Sequence, residues 1–249
     1  MSITIFDLHG TKYTAEQVRI LEANDIAYWT NDFIQSIILV QGENGIERIQ
    51  GLKTLAELED YSDFHDIRFY SNSELDKHII QIQSAISQDR GILRVIGHSG
   101  LGKTRLVYEA IKASGMISKA VYFDIVNQAD SIINFVRGYG KTMAGILVVD
   151  NCDYYHHKLL KDEINRHGSL FKLVTVDYNV SEEFDKSKTM LDEYLFLNNR
   201  NSQDIVKKML NDQFKESLTR EQIDQIAVYS EGYPGMAVFK FFHYNYLFY

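Results

Sequence analysis

A chain of 249 residues with 45% hydrophobic and 24% charged residues can build one large folded domain or two modest ones, and is not composed like a disordered chain. Its formal net charge of −8 disfavours broad electrostatic binding, so neither direct nucleic acid contact nor an acidic membrane surface is expected. The lone cysteine, Cys152, excludes an internal disulfide and fits a reducing compartment. No apolar run is long enough to span a bilayer and no signal-peptide pattern is visible, so the cytoplasm is the expected location.

Residues 1–66 read as an accessory module whose role the sequence does not assign. Ile3–Phe6 and Ile37–Val40 predict short strands, and Leu52–Leu58 a short helix. Thr14-Ala15-Glu16-Gln17 has the form of a capping box at the start of another helix. Trp29 is read as a core residue, and the segment holds no ligand cluster or nucleophile–base pair. Ser71-Asn72-Ser73-Glu74 predicts a second capping box, followed by Leu75, Ile79, Ile82 and Ile86 at helical spacing up to Gly91. Before it, Ile67-Arg68-Phe69-Tyr70 reads as a strand-like lead-in whose Phe69 or Tyr70 could stack on a planar base or fill the core.

The chain then reaches Gly97-His98-Ser99-Gly100-Leu101-Gly102-Lys103-Thr104, which fits G-x-x-x-x-G-K-[ST], the phosphate-binding loop. The apolar run Ile92–Ile96 enters it as a buried strand. A helix with Leu106, Val107, Ala110 and Ile111 on one face leaves it and stops at Gly115. The chemistry requires this layout. Glycines let backbone N–H groups curl around phosphate oxygens, and the helix adds its positive end. Lys103 is expected at the β- and γ-phosphates, and the Thr104 hydroxyl on Mg2+.

From Lys119 strands alternate with helices. Ala120–Ile125, Ile146–Asp150, Leu170–Val176 and Tyr194–Leu197 read as strands. Ile132 to Gly138 and His156 to Arg166 read as helices, the second stopped by Gly168. With the loop strand this gives five strands with helical connections, a parallel sheet covered on both faces. Ser181–Asp192 reads as an exposed loop. Beyond Asn201 the pattern is helical: Ile205, Val206, Met209 and Leu210 mark one helix, and Thr219-Arg220-Glu221-Gln222 caps a second. Pro234 opens a third, rich in phenylalanine and tyrosine up to Tyr249. So aromatic an end suggests an interface, or a chain cut before its next domain; we expect the cut.

The strand ending in Asp150 is what the loop needs from a neighbour, a carboxylate that can hold Mg2+. Asp153 is the candidate for orienting or deprotonating an attacking water. The position after Asp150, where many ATPases place that base, is Asn151, so hydrolysis is less secure than binding. Thr175 either sits near the γ-phosphate as a polar sensor or simply suits a strand. His156 and His157 read as surface or helix-start residues, and Cys152 as a small buried residue.

These residues resemble the STAND class of P-loop NTPases, relatives of the AAA+ ATPases that include the NACHT and NB-ARC switches. Gly-Leu-Gly-Lys-Thr-Arg-Leu up to Leu106, with Glu109, is similar to that class's loop. Leu147–Asp153, with Asp150-Asn151-Cys152-Asp153, is similar to its Walker B run, and Ser230–Ala237, with Gly232-Tyr233-Pro234, to its Gly-x-Pro motif. The resemblance covers roughly residues 67–245. It implies an α/β fold: a three-layer P-loop NTPase core (67–198) with a five-stranded parallel sheet, then a small helical lid (199–249). The Thr175 strand then lies between the loop strand and the Asp150 strand. It also implies a site binding ATP or ADP with Mg2+ through Gly97, His98, Ser99, Gly100, Leu101, Gly102, Lys103, Thr104, Arg105, Thr175 and Pro234. Thr104 and Asp150 hold the metal, and Lys103, Asp150 and Asp153 serve catalysis. The implied role is a nucleotide-dependent switch in signalling or phage defence, with protein partners or a second copy engaged through the lid and further domains. The chain departs from the class in three ways: no Arg follows Thr175, Ser71–Glu74 replaces Gly-Arg-Glu, and no winged-helix domain follows the lid. Two rival readings stay open. One is an AAA+ motor using Arg166 or Arg200 from a neighbouring subunit; the other is a non-hydrolysing, nucleotide-bound interaction module.

Overall fold

Apolar runs four to seven residues long have nowhere to hide both faces except between layers of helix, and that is where the chain puts them. A computed structural model describes residues 67–246 apart from 90, 127–128, 142–143, 179–192 and 199–201, together with 5–6, 12–13, 39–42, 45–48 and 52–55. The calls on Thr14–Gln17, Trp29, Ser181–Asp192, Arg200 and Tyr249 lie outside these residues.

The strands are β1 (Ile5–Phe6), β2 (Lys12–Tyr13), β3 (Leu39–Gly42), β4 (Gly45–Arg48) and β5 (Leu52–Thr54), then β6 (Ile92–Ile96), β7 (Ala120–Asp124), β8 (Gly145–Asp150), β9 (Phe171–Asp177) and β10 (Tyr194–Phe196). The helices are α1 (Ser73–Ser87), α2 (Lys103–Ala113), α3 (Ala129–Tyr139), α4 (Tyr154–His167), α5 (Ser202–Phe214), α6 (Arg220–Tyr229) and α7 (Pro234–Tyr246). The main sheet runs β10-β6-β9-β8-β7-β5. Its first five strands are parallel, and β9 lies between the loop strand β6 and the Asp150 strand β8. This is the five-stranded α/β P-loop NTPase fold that the sequence predicts.

The pleat sorts the strand residues onto two faces. Leu147, Val149 and Leu173 pack with Ile132, Phe135, Leu160 and Ile164 of α3 and α4. Leu93, Val95, Val148 and Val174 pack with Ile82, Leu106 and Ile111 of α1 and α2. The three C-terminal helices enclose a core of their own around Met209, Leu210, Ile226 and Phe241, against which Ile67 and Tyr70 also pack.

Four local expectations are corrected. Leu52–Thr54 is not helical: it forms β5, antiparallel to β7 at the sheet edge, so the sheet takes one strand from the stretch before residue 67. Leu55, fully buried, anchors that pairing in the core. The cap of α1 is Asn72, whose side chain accepts from the N–H groups of Glu74 and Leu75, while Ser71 Oγ donates to Asp76. Helix α3 continues past Gly138 to Tyr139. Of the two readings of His157, the helix start holds, since it lies in the first turn of α4, and the surface does not. His157 is 2% exposed, and its Nδ1 lies 2.8 Å from Thr175 Oγ1, because α4 packs its inner face on β9.

Burial, reinforced by the charges of Arg94 and Lys161, pulls the His157 pKa down to about 3. The unfolded chain takes up that proton near pH 6.5 and the folded chain does not, so stability is complete above pH 6.5 and falls as pH drops towards 3. Urea unfolding of wild type should therefore lose up to about 2 kcal/mol more between pH 7 and pH 5 than that of His157→Gln. Equal slopes for the two proteins would refute the assignment.

Candidate nucleotide-binding site

Parallel strands deliver all their C-terminal ends to one edge, and the predicted residues converge there. The loop leaves β6 at Gly97 and enters α2 at Lys103. Gly100 and Gly102 have φ of 81° and 80°, left-handed values that a Cβ disfavours. A Cβ on Gly97 would lie 2.6 Å from the Leu197 carbonyl oxygen, so only glycine lets the loop pass the end of β10. Helix α2 has Gly102 as its N-cap and no side-chain cap, which leaves its positive end for an anion.

Lys103 is 7% exposed and donates from Nζ to the His98 carbonyl at 2.7 Å, so its ammonium spans the loop. Burial lowers its pKa, against the opposing pull of Asp150 and Asp177. Thr104 Oγ1 donates to Asp150 Oδ2 at 2.7 Å, and the Tyr122 hydroxyl donates to the same oxygen at 3.0 Å. Burial first, then the Asp150 charge, pushes the Tyr122 phenol well up, so it stays a donor. Asp150 Oδ1 accepts from the Asn151 N–H at 2.9 Å, and the Asn151 amide donates to Asp124 at 3.0 Å. The Asp150 carboxylate is thus oriented by three donors, from α2, from β7 and from the turn that follows β8.

A cavity of about 570 Å3 opens from this point. Ser99, Gly100, Leu101, Gly102, Lys103, Thr104, Arg105 and Asp150 line it. Ile67, Arg68, Phe69, Tyr70, Leu75 and the lid residues Ile205, Met209, Pro234 and Val238 line it too. A lining that combines backbone donors and charged side chains with apolar and aromatic ones suits a ligand that carries both phosphates and a flat ring. The lid also touches the loop directly. The Gly235 N–H donates to the Gly100 carbonyl at 3.0 Å, and the Tyr233 ring meets the His98 ring edge-on with centroids 6.2 Å apart.

The structure does not bring every candidate to the cavity. Gly97 and His98 are not among the residues that line it. Arg105 lines it, but its guanidinium is paired with Glu109 at 2.7 Å. Thr175 is fully buried against His157, on the face away from α2. Asp153 is occupied as the N-cap of α4, its Oδ1 accepting from the His156 N–H and facing the His156 ring, each at 2.8 Å. Burial raises its pKa, but those contacts outweigh burial and hold it below the usual carboxylate range. Cys152, buried as expected, has its thiol pushed up to about 12 by burial.

Sequence reasoning did not single out Tyr122, Asp124 or Asp177. Asp177 ends β9, is 3% exposed and lines the cavity. The visible signal was a carboxylate closing each of the three apolar runs that end in Asp124, Asp150 and Asp177.

A paired hydroxyl and carboxylate beside a buried lysine and an uncapped helix end are the donor set that a nucleotide phosphate chain and Mg2+ require. No protein family's sequence profile matches the chain, and no curated protein matches it. Among solved structures it is similar to C. elegans PCH-2 (TM-score 0.43, 10% identity, over 63% of this chain and 51% of that one). It is also similar to AMPPCP-bound DnaA from Aquifex aeolicus (0.43, 15%, 64% and 58%) and to Aeropyrum pernix ORC1 in complex with DNA (0.48, 15%, 75% and 62%). The chain thus spans between about half and three-fifths of these proteins, and none of the likenesses reaches a TM-score of 0.5.

The lid contact makes its own prediction. A Cβ on Gly235 would come within 3.1 Å of Gly100 Cα and 3.3 Å of its carbonyl oxygen. Gly235→Val should therefore lift the start of α7 off the loop, read as at least tenfold faster amide hydrogen exchange over residues 233–238 with α6 unchanged. Unaltered exchange there would refute the contact.

Proposed function

We propose that this chain is an ATP- and Mg2+-binding NTPase module of the STAND type, a nucleotide-dependent regulatory switch with slow hydrolysis. The observation that supports it most is the 2.7 Å pairing of Thr104 with Asp150 beneath a lid that hydrogen-bonds the phosphate loop. Lys103 and the end of α2 hold the phosphate chain. Thr104 and Asp150 would hold the metal, with Tyr122 and Asn151 keeping the carboxylate aimed. Mg2+, when bound, supplies the positive charge that phosphoryl transfer demands.

Slow turnover follows from what stands beside Asp150. Asn151 cannot accept a proton at neutral pH, and its amide is engaged with Asp124. Asp153 is held by α4. The switch follows from the lid. Pro234 and Gly235 border both the cavity and the loop, so cavity occupancy and lid position are coupled through the same few atoms. Exchange of ADP for ATP then releases the lid towards a protein partner or a second copy.

Wild type and Lys103→Ala should differ at least about thirtyfold in ATP affinity, and Thr104→Ala or Asp150→Asn should abolish the dependence of that affinity on Mg2+. Equal binding by wild type and Lys103→Ala would end the proposal. Turnover should be on the order of 10⁻³ s⁻¹, the range of P-loop switches without an activating arginine. Sustained turnover that rises on assembly would instead favour an AAA+ motor.

A further inference from the structure

Strand β6 is buried along its whole length, yet its central residue is an arginine. Arg94 is 2% exposed, and three groups take up its guanidinium. Nη2 pairs with Asp177 Oδ2 at 2.5 Å. Nη1 donates to the Cys152 carbonyl at 2.8 Å and contacts the Asp153 carbonyl at 3.4 Å. One rigid fork thus ties the end of β9 to the turn that follows Asp150. Burying such a pair takes two charges out of water, and hydrophobic side chains of similar volume would serve stability as well or better. A purely architectural role explains it poorly.

Its position points to another role. Strand β9 lies between the loop strand and the Asp150 strand, so Asp177 stands between the phosphate loop and the metal carboxylate. It lines the cavity together with Lys103 and Asp150. Lys103 and the Asp150 metal site converge on the terminal end of a phosphate chain, the end where ATP and ADP differ. A carboxylate placed there repels an additional phosphate unless its charge is compensated and its position fixed.

We infer that Arg94 is a positioning residue that, through Asp177, sets the discrimination between nucleoside triphosphate and diphosphate. This rests on the nucleotide-switch reading and deepens it. Arg94 is absent from the cavity lining and acts on the ligand only by compensating Asp177 and by fixing the Asp177-to-Asp150 spacing from behind.

The test is a set of dissociation constants for ADP and for a non-hydrolysable ATP analogue, both with Mg2+, together with thermal unfolding. Arg94→Met should weaken the analogue at least tenfold more than ADP, because Asp177 keeps its charge and loses its guanidinium. Adding Asp177→Asn should return the triphosphate-to-diphosphate ratio to within threefold of that of Asp177→Asn alone, and should recover much of the lost Tm. A merely structural Arg94 would lower Tm and weaken both nucleotides alike, which would overturn the inference, as would an unmoved ratio. Should Arg94→Met fail to fold, the double variant, which removes both charges together, decides against Asp177→Asn: a tenfold difference between those two ratios would overturn the route through Asp177. Wild type that binds both nucleotides while the Arg94→Met ratio stays put defeats this inference alone. Wild type that binds neither defeats the nucleotide-switch reading and this with it.

Discussion

The hydrogen bond from Thr104 to Asp150 is the contact on which the rest of the structure turns, because it joins two elements separated by forty-six residues of chain. It can form only if the first turn of α2 and the last residue of β8 meet at one edge. That in turn requires β6, β9 and β8 to lie parallel and in that order. Parallel pairing needs crossover helices, and those helices cover both faces of the sheet. The apolar strands, the two-sided core and the polar edge are therefore consequences of one arrangement.

The cavity is built the same way, by elements that have little in common in the sequence. Its polar lining comes mainly from the loop and the strand ends. Most of its apolar lining is shared between the Ile67–Tyr70 lead-in and the lid helices, and Ile67 and Tyr70 also pack into the lid core. A lid bonded to the loop by Gly235 and joined to the lead-in by apolar packing cannot move without altering the cavity. The lid contact and the cavity wall thus share the same atoms.

Beneath the site lies a layer that is not uniformly apolar. Arg94 with Asp177, and His157 with Thr175, place hydrogen-bonded polar side chains between β6, β9 and α4. Buried polar groups cost stability unless paired, and those pairings fix one geometry. The carboxylates at the edge are held from below as well as from the side.

How much was legible beforehand follows from the range of each interaction. The loop, its strand and helix, the five parallel strands and the three lid helices are written in local pattern: glycine spacing, apolar runs and the cap at Thr219. Lys103, Thr104 and Asp150 follow from motif chemistry. Other features depend on which strand lies beside which, and no local pattern carries that. A stray arginine in an apolar strand and an aspartate closing another look unrelated until β6 and β9 pair. Leu52–Thr54 could not be assigned to a strand without the β7 edge to bond to, because three residues have too little periodicity of their own. Asp153 reads as a catalytic carboxylate by its distance from Asp150, but α4 needs an N-cap and takes it. The sequence by itself determined the glycine loop, its lysine and threonine, and the apolar strands that flank them. Only the tertiary structure decided which carboxylates stand beside that loop, because side-chain reach is a few ångströms and the strand order sets who is within it.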